Sequence, residues 1–419
     1  MTVLIKKAFI SDIHSSFHQK TKDIFIKDGI IAEVEDSISA KADQIIESKK
    51  LTVTQGWVDI FSNFCDPGLE FKETLESGAN AAASGGFTTV CVVPNTLPTI
   101  SSKSQVEYIL QKSKQLPVSI LPLGSISKNI DGKELAEMYD MYNSGAIAFT
   151  DGFQPIQSPG LMLKALQYVI SFNGTLIQMP VDTTISTTGL MNEGIISTQL
   201  GMPGIPIVSE EIMVKRDLDL LKYTNSKLHF TGVTSPKSID LIVQAKKEGL
   251  NVSCSVTPYH LFFCDEDLQN YDTNLKTNPP LRSKDDMMAL KEHVVNGNID
   301  CIASHHQPQD ADHKICEFEY AQYGMAIIEN VYSALQTAIP LLTVEQVESL
   351  FTINPKSIFG ISNQPIELNT RANISIFDTS LKTNISIASS KSKNNPFINK
   401  ELNGKVIGIV NGEKLYLNS

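Results

Sequence analysis

The residues able to do chemistry in this chain are eight histidines and six cysteines. That stock suffices for a metal centre, an acid–base pair or a thiol nucleophile, so the positions decide which. Cys65, Cys91, Cys254, Cys264, Cys301 and Cys316 are scattered, with no C-x-x-C pair among them. A disulfide framework belongs to short secreted chains, so these read as reduced thiols, several buried in strands such as Val90-Cys91-Val92. His305-His306, followed by His313, is the one place that reads as a metal site. With Asp151 and Cys65 it would form a small, nonstandard centre; the alternative is a set of hydrogen-bonded loop histidines. His229 and His260 read as core or supporting groups, while His14, His18 and His293 lie in polar, surface-like stretches. Asp59 reads as a carboxylate that fixes local structure.

These groups need elements to position them. Ile24-Phe25-Ile26 and Ile30-Ile31 flank Lys27-Asp28-Gly29, and Val406 to Val410 and Lys414 to Leu417 flank Asn411-Gly412. Both are hairpin signals in which Gly accepts a positive φ. Between them, short apolar runs alternate with helical stretches. Strands are expected at Val58–Phe61, Thr88–Val93, Val118–Leu121, Ala146–Phe149, Thr175–Met179, Leu228–Thr231, Val252–Val256 and Cys301–Ala303. Helices are expected at Glu73–Ser84, Lys133–Tyr142, Gly160–Ser171, Glu210–Leu221, Lys237–Glu248 and Lys284–Val295. Thr234-Ser235 reads as a helix start and Asp66-Pro67-Gly68 as a turn. This α/β pattern favours a (β/α)8 TIM-type barrel, with functional groups at the C-terminal strand ends. An open doubly wound sheet is the alternative, but no Gly-rich phosphate fingerprint follows the first strand. A small β-sandwich domain is expected from both chain ends (1–54 plus 365–419), beside a barrel domain of 55–364.

Composition narrows the function classes. With 419 residues, 42% of them hydrophobic, the chain has material for a large core. A formal charge of −11 argues against a nucleic-acid partner. No apolar run approaches the roughly 20 residues that span a bilayer, and the first residues lack a signal-peptide layout, so a cytoplasmic protein is expected.

Several motifs then carry a resemblance. Gly56-Trp57-Val58-Asp59, Asp66-Pro67-Gly68, Lys72-Glu73-Thr74, Gly85-Gly86-Phe87-Thr88-Thr89-Val90 and Pro94-Asn95-Thr96 resemble dihydroorotases of the amidohydrolase superfamily. So do Asn278-Pro279-Pro280-Leu281-Arg282, Asp300-Cys301-Ile302-Ala303 and Ser392-Lys393-Asn394-Asn395-Pro396-Phe397. The resemblance covers nearly the whole chain and is nearest to class I, the multifunctional-complex type. It implies reversible closure of carbamoyl aspartate to dihydroorotate, in pyrimidine synthesis, at a divalent metal, usually zinc.

By the same resemblance, the family's metal ligands fall on unexpected residues. The first-strand H-x-H pair falls on Phe61 and Asn63, and the fourth-strand carboxylate on Asp151, with Gly152 beside it. The fifth- and sixth-strand histidines fall on Met179 and Gly232, the catalytic Asp on His305, and a following His on Gln309. The Arg that holds the substrate carboxylate falls on Cys65. Asn95 and Asn278 match substrate-holding positions, while Gln322 and Ile327 replace a Pro and a Gly of the substrate loop. Phe and Gly offer no lone pair, Asn a weak carbonyl ligand, and Met a soft thioether poorly suited to zinc.

From these changes the expected reading is a dismantled, degenerate metal site. No cofactor is expected, at most a weak nonstandard metal at Asp151 and His305, with no catalytic residue and a vestigial substrate shelf at Asn95, Asn278 and Cys65. The expected function is a non-catalytic homodimeric partner of aspartate transcarbamoylase. The alternative is a dihydroorotase or related cyclic-amide hydrolase with an altered metal site, and a third reading is a ligand sensor using the same pocket.

Overall fold

Both ends of the chain form β-hairpins, and their tips touch. The structure, a computed structural model, describes residues 1–386 and 388–418. Asp28 and Gly29 have φ of 49° and 76°, the two positive values that a tight turn between Thr21–Lys27 and Ile30–Glu35 requires. A Cβ on Gly29 would lie 2.7 Å from the carbonyl carbon of Gly412, at the tip of the second hairpin. The second hairpin pairs Glu401–Asn411 with Lys414–Leu417.

One eight-stranded sheet joins the two ends. Leu51–Gln55 pairs in parallel with Thr2–Ile10 and antiparallel with Asn373–Asn384, which continues to Glu401–Asn411. Alternate side chains from both ends, among them Val3, Ile5, Ile24, Val53, Ile374 and Val410, form its buried core.

The intervening chain contributes two larger parallel sheets, beside a two-stranded parallel one of Met191–Asn192 and Gly204–Ile205. Trp57–Ser62, Phe87–Val92 and Ser119–Pro122 make one; Leu176–Gln178, Leu228–Phe230, Val252–Val256 and Cys301–Ile302 make the other. Isolated parallel bridges at Gly124–Phe149, Phe149–Leu176 and Ser62–His306 connect them. The expected strand at Ala146–Phe149 is thus reduced to bridges at its last residue. Helices Leu75–Ser84, Pro159–Val169, Val208–Thr224, Pro236–Lys247 and Lys284–Val295 lie between the strands, close to expectation. The expected helix at Lys133–Tyr142 is only Met138–Asn143, and Lys103–Lys112 is an additional one.

Caps explain several boundaries. The Thr74 hydroxyl accepts from Ser77 N at 3.0 Å, and Ser77 Oγ accepts from Thr74 N at 3.0 Å, a reciprocal cap that starts Leu75–Ser84. Ser235 caps Pro236–Lys247, where Pro at the first position lacks the N–H that would go unbonded.

Candidate active site

The C-terminal strand ends gather the residues singled out from sequence, but they hold one another. Phe61 stacks on the His305 ring, with centroids 4.5 Å apart and planes inclined by 29°, and Phe153 meets both rings edge-on. Asn63 Oδ1 accepts from Cys65 N at 2.8 Å, and Asn63 Nδ2 donates to Asn95 O at 3.4 Å. Cys65 is buried with φ 59°, and burial, then the Glu73 carboxylate, pushes its thiol up to about 12. A thiol so placed is no nucleophile at neutral pH.

Asp151 is buried, and burial pushes its carboxyl up to about 6 against the hydrogen bonds it accepts. Those bonds come from Ile126 N at 2.8 Å, Ser127 N at 2.9 Å and the Ser127 hydroxyl, so the carboxylate closes the turn after Ser119–Pro122. It makes no hydrogen bond to His305, the partner expected for a small metal centre. Gly152, with φ 63°, lets Asn95 approach: a Cβ there would sit 1.7 Å from Asn95 Oδ1. Asn95 donates to Asp151 O at 3.2 Å and accepts from Phe153 N at 3.2 Å, so this member of the expected substrate shelf is pinned to the fourth strand end. Asn278 differs, because its Oδ1 is buried and unpartnered.

Gly232 and His305 form one packing solution. Gly232 has φ 67°, and a Cβ there would lie 2.5 Å from His305 Cε1. His305 in turn is held by Thr231 Oγ1 at 2.7 Å from Nε2. A side chain at 232 and the imidazole at 305 therefore exclude each other. Gly232→Ala is expected to destabilise the fold by about 1–3 kcal/mol, from overpacking and left-handed backbone. Urea denaturation of G232A and of G232A/H305A checks this: the double variant should recover the steric part, and equal stability of both would refute the packing account.

Around this cluster lie carboxylates that fix structure. Asp59, fully buried, accepts from Ser304 N at 2.8 Å, Ser304 Oγ at 2.6 Å and the Ser62 hydroxyl, tying the first strand to the last. His306 Nε2 lies 3.5 Å from Glu73 Oε2. Lys72 Nζ donates to Gln309 Oε1 at 2.7 Å. Met179 is buried at its strand end.

Sequence reasoning missed Ser255 and Thr231, which join His229 to His305 by hydrogen bonds, and Ser253, which bonds the other ring nitrogen of His229. Alternation offered a signal, since 229 and 231, like 253 and 255, share a strand face.

Comparison with known proteins places this geometry. A family model described as "Dihydro-orotase-like" matches residues 50–238. A dihydroorotase of Syntrophus aciditrophicus (strain SB) is 35% identical, covering 99% of both chains, and one of Acetivibrio thermocellus is 38% identical, covering 93% of both. The chain belongs to the dihydroorotase-like family. An L-hydantoinase (dihydropyrimidinase) from Arthrobacter aurescens superposes with a TM-score of 0.85, covering 99% of this chain and 96% of that one, at 22% identity. This dihydroorotase-like chain thus shares the amidohydrolase fold.

These relatives correct three expectations. A non-catalytic partner of aspartate transcarbamoylase was expected, and so was a chain that is not an enzyme; nearly full-length relatives named dihydroorotase overturn both. The expectation of no cofactor falls with them, because the family is one of metal-dependent amidohydrolases.

The donors at the resembling positions nevertheless do not fit the family's zinc arrangement. Phe61 and Gly232 carry no donor atom, Asn63 and Asp151 are engaged by backbone N–H groups, and His305 Nε2 by Thr231. Among the described residues, no group of three or more His, Cys, Asp or Glu is arranged to hold a metal ion.

Proposed function

We propose that this chain carries out the reaction type of its relatives, reversible hydrolysis of a cyclic amide such as dihydroorotate at a ring C–N bond. The metal arrangement is altered from the family's. Nearly full-length identity of 35 and 38% to dihydroorotases carries the reading. In the hydrolytic direction water adds across the ring C–N bond: oxygen goes to the carbonyl carbon and the freed nitrogen takes a proton. Asn278 Oδ1, buried and unpartnered, is an acceptor for a substrate N–H. With Cys65 where the family has Arg, the substrate carboxylate is held without a bidentate guanidinium, so weak affinity is expected.

The same proposal includes a (β/α)8 barrel over 55–364 and a β-sandwich domain of 1–54 plus 365–419, residues 387 and 419 lying outside the described residues. The parallel pairs, the connecting bridges and the shared end sheet support it. It also includes a cytoplasmic homodimer, which all six cysteines being free supports as to compartment. No helix among the described residues is long and apolar enough to cross a membrane. Association with aspartate transcarbamoylase, as a working enzyme, is the partner proposal, checked by co-elution of the two proteins on size exclusion.

The deciding experiment measures bound metal by elemental analysis and dihydroorotate turnover on one preparation. Turnover is expected, with a metal content differing from the family's. Absence of turnover, with and without added zinc, beside an active dihydroorotase control would overturn the reading.

A further inference from the structure

A line of hydrogen bonds runs through the buried interior to the strand-end face. Ser253 Oγ lies 2.8 Å from His229 Nδ1, and His229 Nε2 lies 3.0 Å from Ser255 Oγ. Ser255 donates to Thr231 Oγ1 at 3.0 Å, and Thr231 Oγ1 lies 2.7 Å from His305 Nε2. The five side chains are buried, and burial pushes both imidazoles down to about 3, so each is neutral with a single N–H.

That single N–H per ring sets the polarity of the whole line. Each hydroxyl has one hydrogen. The Ser255 hydrogen goes to Thr231, so Ser255 receives the hydrogen bond from His229 Nε2–H. His229 Nδ1 is then an acceptor, served by the Ser253 hydroxyl. Thr231 Oγ1, already accepting from Ser255, has a second lone pair that could also accept from His305 Nε2–H. Its own buried hydrogen would then meet no acceptor, since Ser255 and His305 are its only hydrogen-bond partners among the described residues; giving that hydrogen to His305 Nε2 satisfies it. The His305 proton is left on Nδ1, and Nδ1 is buried with no partner.

Two further observations point the same way. His305 has φ 45°, a left-handed conformation that a side-chain-bearing residue seldom adopts and that collects at functional positions. Its ring is clamped by Phe61 and Phe153 and approached closely by Gly232, so the direction of the Nδ1–H bond is fixed.

We infer that His305 is a fixed, neutral hydrogen-bond donor, oriented by the Ser253–His229–Ser255–Thr231 line to give its Nδ1–H to a carbonyl oxygen of a bound cyclic amide. The inference rests on the cyclic-amide reading above and adds a residue to it. The site then selects an acceptor at that point of the ligand, and a ligand presenting an N–H there leaves two donors opposed. Thr231 is the positioning residue, because its hydroxyl decides which ring nitrogen keeps the proton.

The test uses the full chain labelled with ¹⁵N-histidine, with the His305 signals assigned by their loss in His305→Phe. Long-range ¹H–¹⁵N spectra distinguish the two tautomers. The free protein is expected to show Nδ1–H at residue 305, and Thr231→Val to shift that residue toward Nε2–H. Dihydroorotate should move the Nδ1–H signal, and calorimetry should show about tenfold weaker binding for H305F. His305→Asn, which offers an amide N–H near the same place, should recover part of that affinity. An Nε2–H tautomer in the free wild-type chain overturns the inference without any variant. So does unchanged dihydroorotate affinity in H305F, and in both cases the cyclic-amide reading stands. If the wild-type chain binds neither dihydroorotate nor carbamoyl aspartate, the reading itself fails and the donor role falls with it.

Discussion

Arg282→Met is expected to cost about 3–5 kcal/mol of stability, the range for leaving one partner of a buried ion pair uncompensated. The Arg282 Nη2 lies 3.8 Å from Glu210 Oε2, and both residues are almost wholly buried. Arg282 also donates from Nε to Thr234 Oγ1 at 2.9 Å and from Nη1 to Asn192 Oδ1 and Ile205 O, each at 3.1 Å. Glu210 accepts from Thr234 N at 3.0 Å and Ser235 N at 2.8 Å, so the pair ties three separate segments together. Met fills similar volume, which isolates the electrostatic loss from a cavity. Urea denaturation followed by the fluorescence of Trp57, the only Trp of the chain, measures it.

The pH dependence of the variant gives a second check. Burial holds the Glu210 carboxyl above its ordinary value, and Arg282 is the largest opposing influence, so R282M raises it further. A carboxyl whose folded value exceeds its unfolded value binds more protons when folded, so it makes stability rise as pH falls. The deficit of R282M should therefore shrink from neutrality down toward the ordinary glutamate value of about 4.3. Adding Glu210→Gln should recover part of it at neutral pH. A deficit that is flat with pH and untouched by the second change would show that packing, not charge, causes the loss.

The role of Arg282 illustrates how far sequence reading reaches. Its motif, Asn278 to Arg282, was legible as a family feature, yet nothing in one dimension shows that Glu210 faces it from a helix 72 positions earlier. Hairpins and most helices were legible because local signals create them: the positive φ at Asp28-Gly29 and the hydroxyl caps at Thr74 and Ser235 act within a few residues. Ala146–Phe149 read as a strand from its apolar run, but only Phe149 pairs. Asp151 fell on the family's fourth-strand carboxylate by resemblance, and it does follow the bridged residue Phe149. Its direction follows instead from the left-handed turn at Gly152 and the waiting N–H groups of Ile126 and Ser127. The hydrogen-bonded line to His305 depends on register, His229 beside Ser253, which only strand pairing reveals.

Trp57→Ala should be about as damaging, about 3–5 kcal/mol, the range for removing a large buried aromatic side chain. Trp57 is fully buried where the parallel sheet meets the sheet made from both chain ends. It stacks on Phe351 at 5.2 Å and packs against Tyr332 and Phe377, each at 5.1 Å, with Phe87 edge-on at 6.1 Å. Its indole N–H donates to Thr54 Oγ1 at 2.9 Å, so the polar end is satisfied inside the core. Phe377 belongs to Asn373–Asn384 and Tyr332 to the helix Val331–Ala338, which makes this one ring the joint between structures built from distant parts of the chain. Trp57→Phe keeps an aromatic contact and should cost less, though it strands no partner beyond Thr54. Circular dichroism in urea measures both variants, since they lack the fluorophore. Amide exchange then separates a local from a joint effect: W57A should speed exchange across Asn373–Asn384 as well as Trp57–Ser62. Acceleration confined to Trp57–Ser62 would mean that the two sheets hold together without the indole, because contacts such as Ser375 Oγ accepting from Trp57 N at 2.9 Å and donating to Gly86 O at 2.6 Å carry the joint instead.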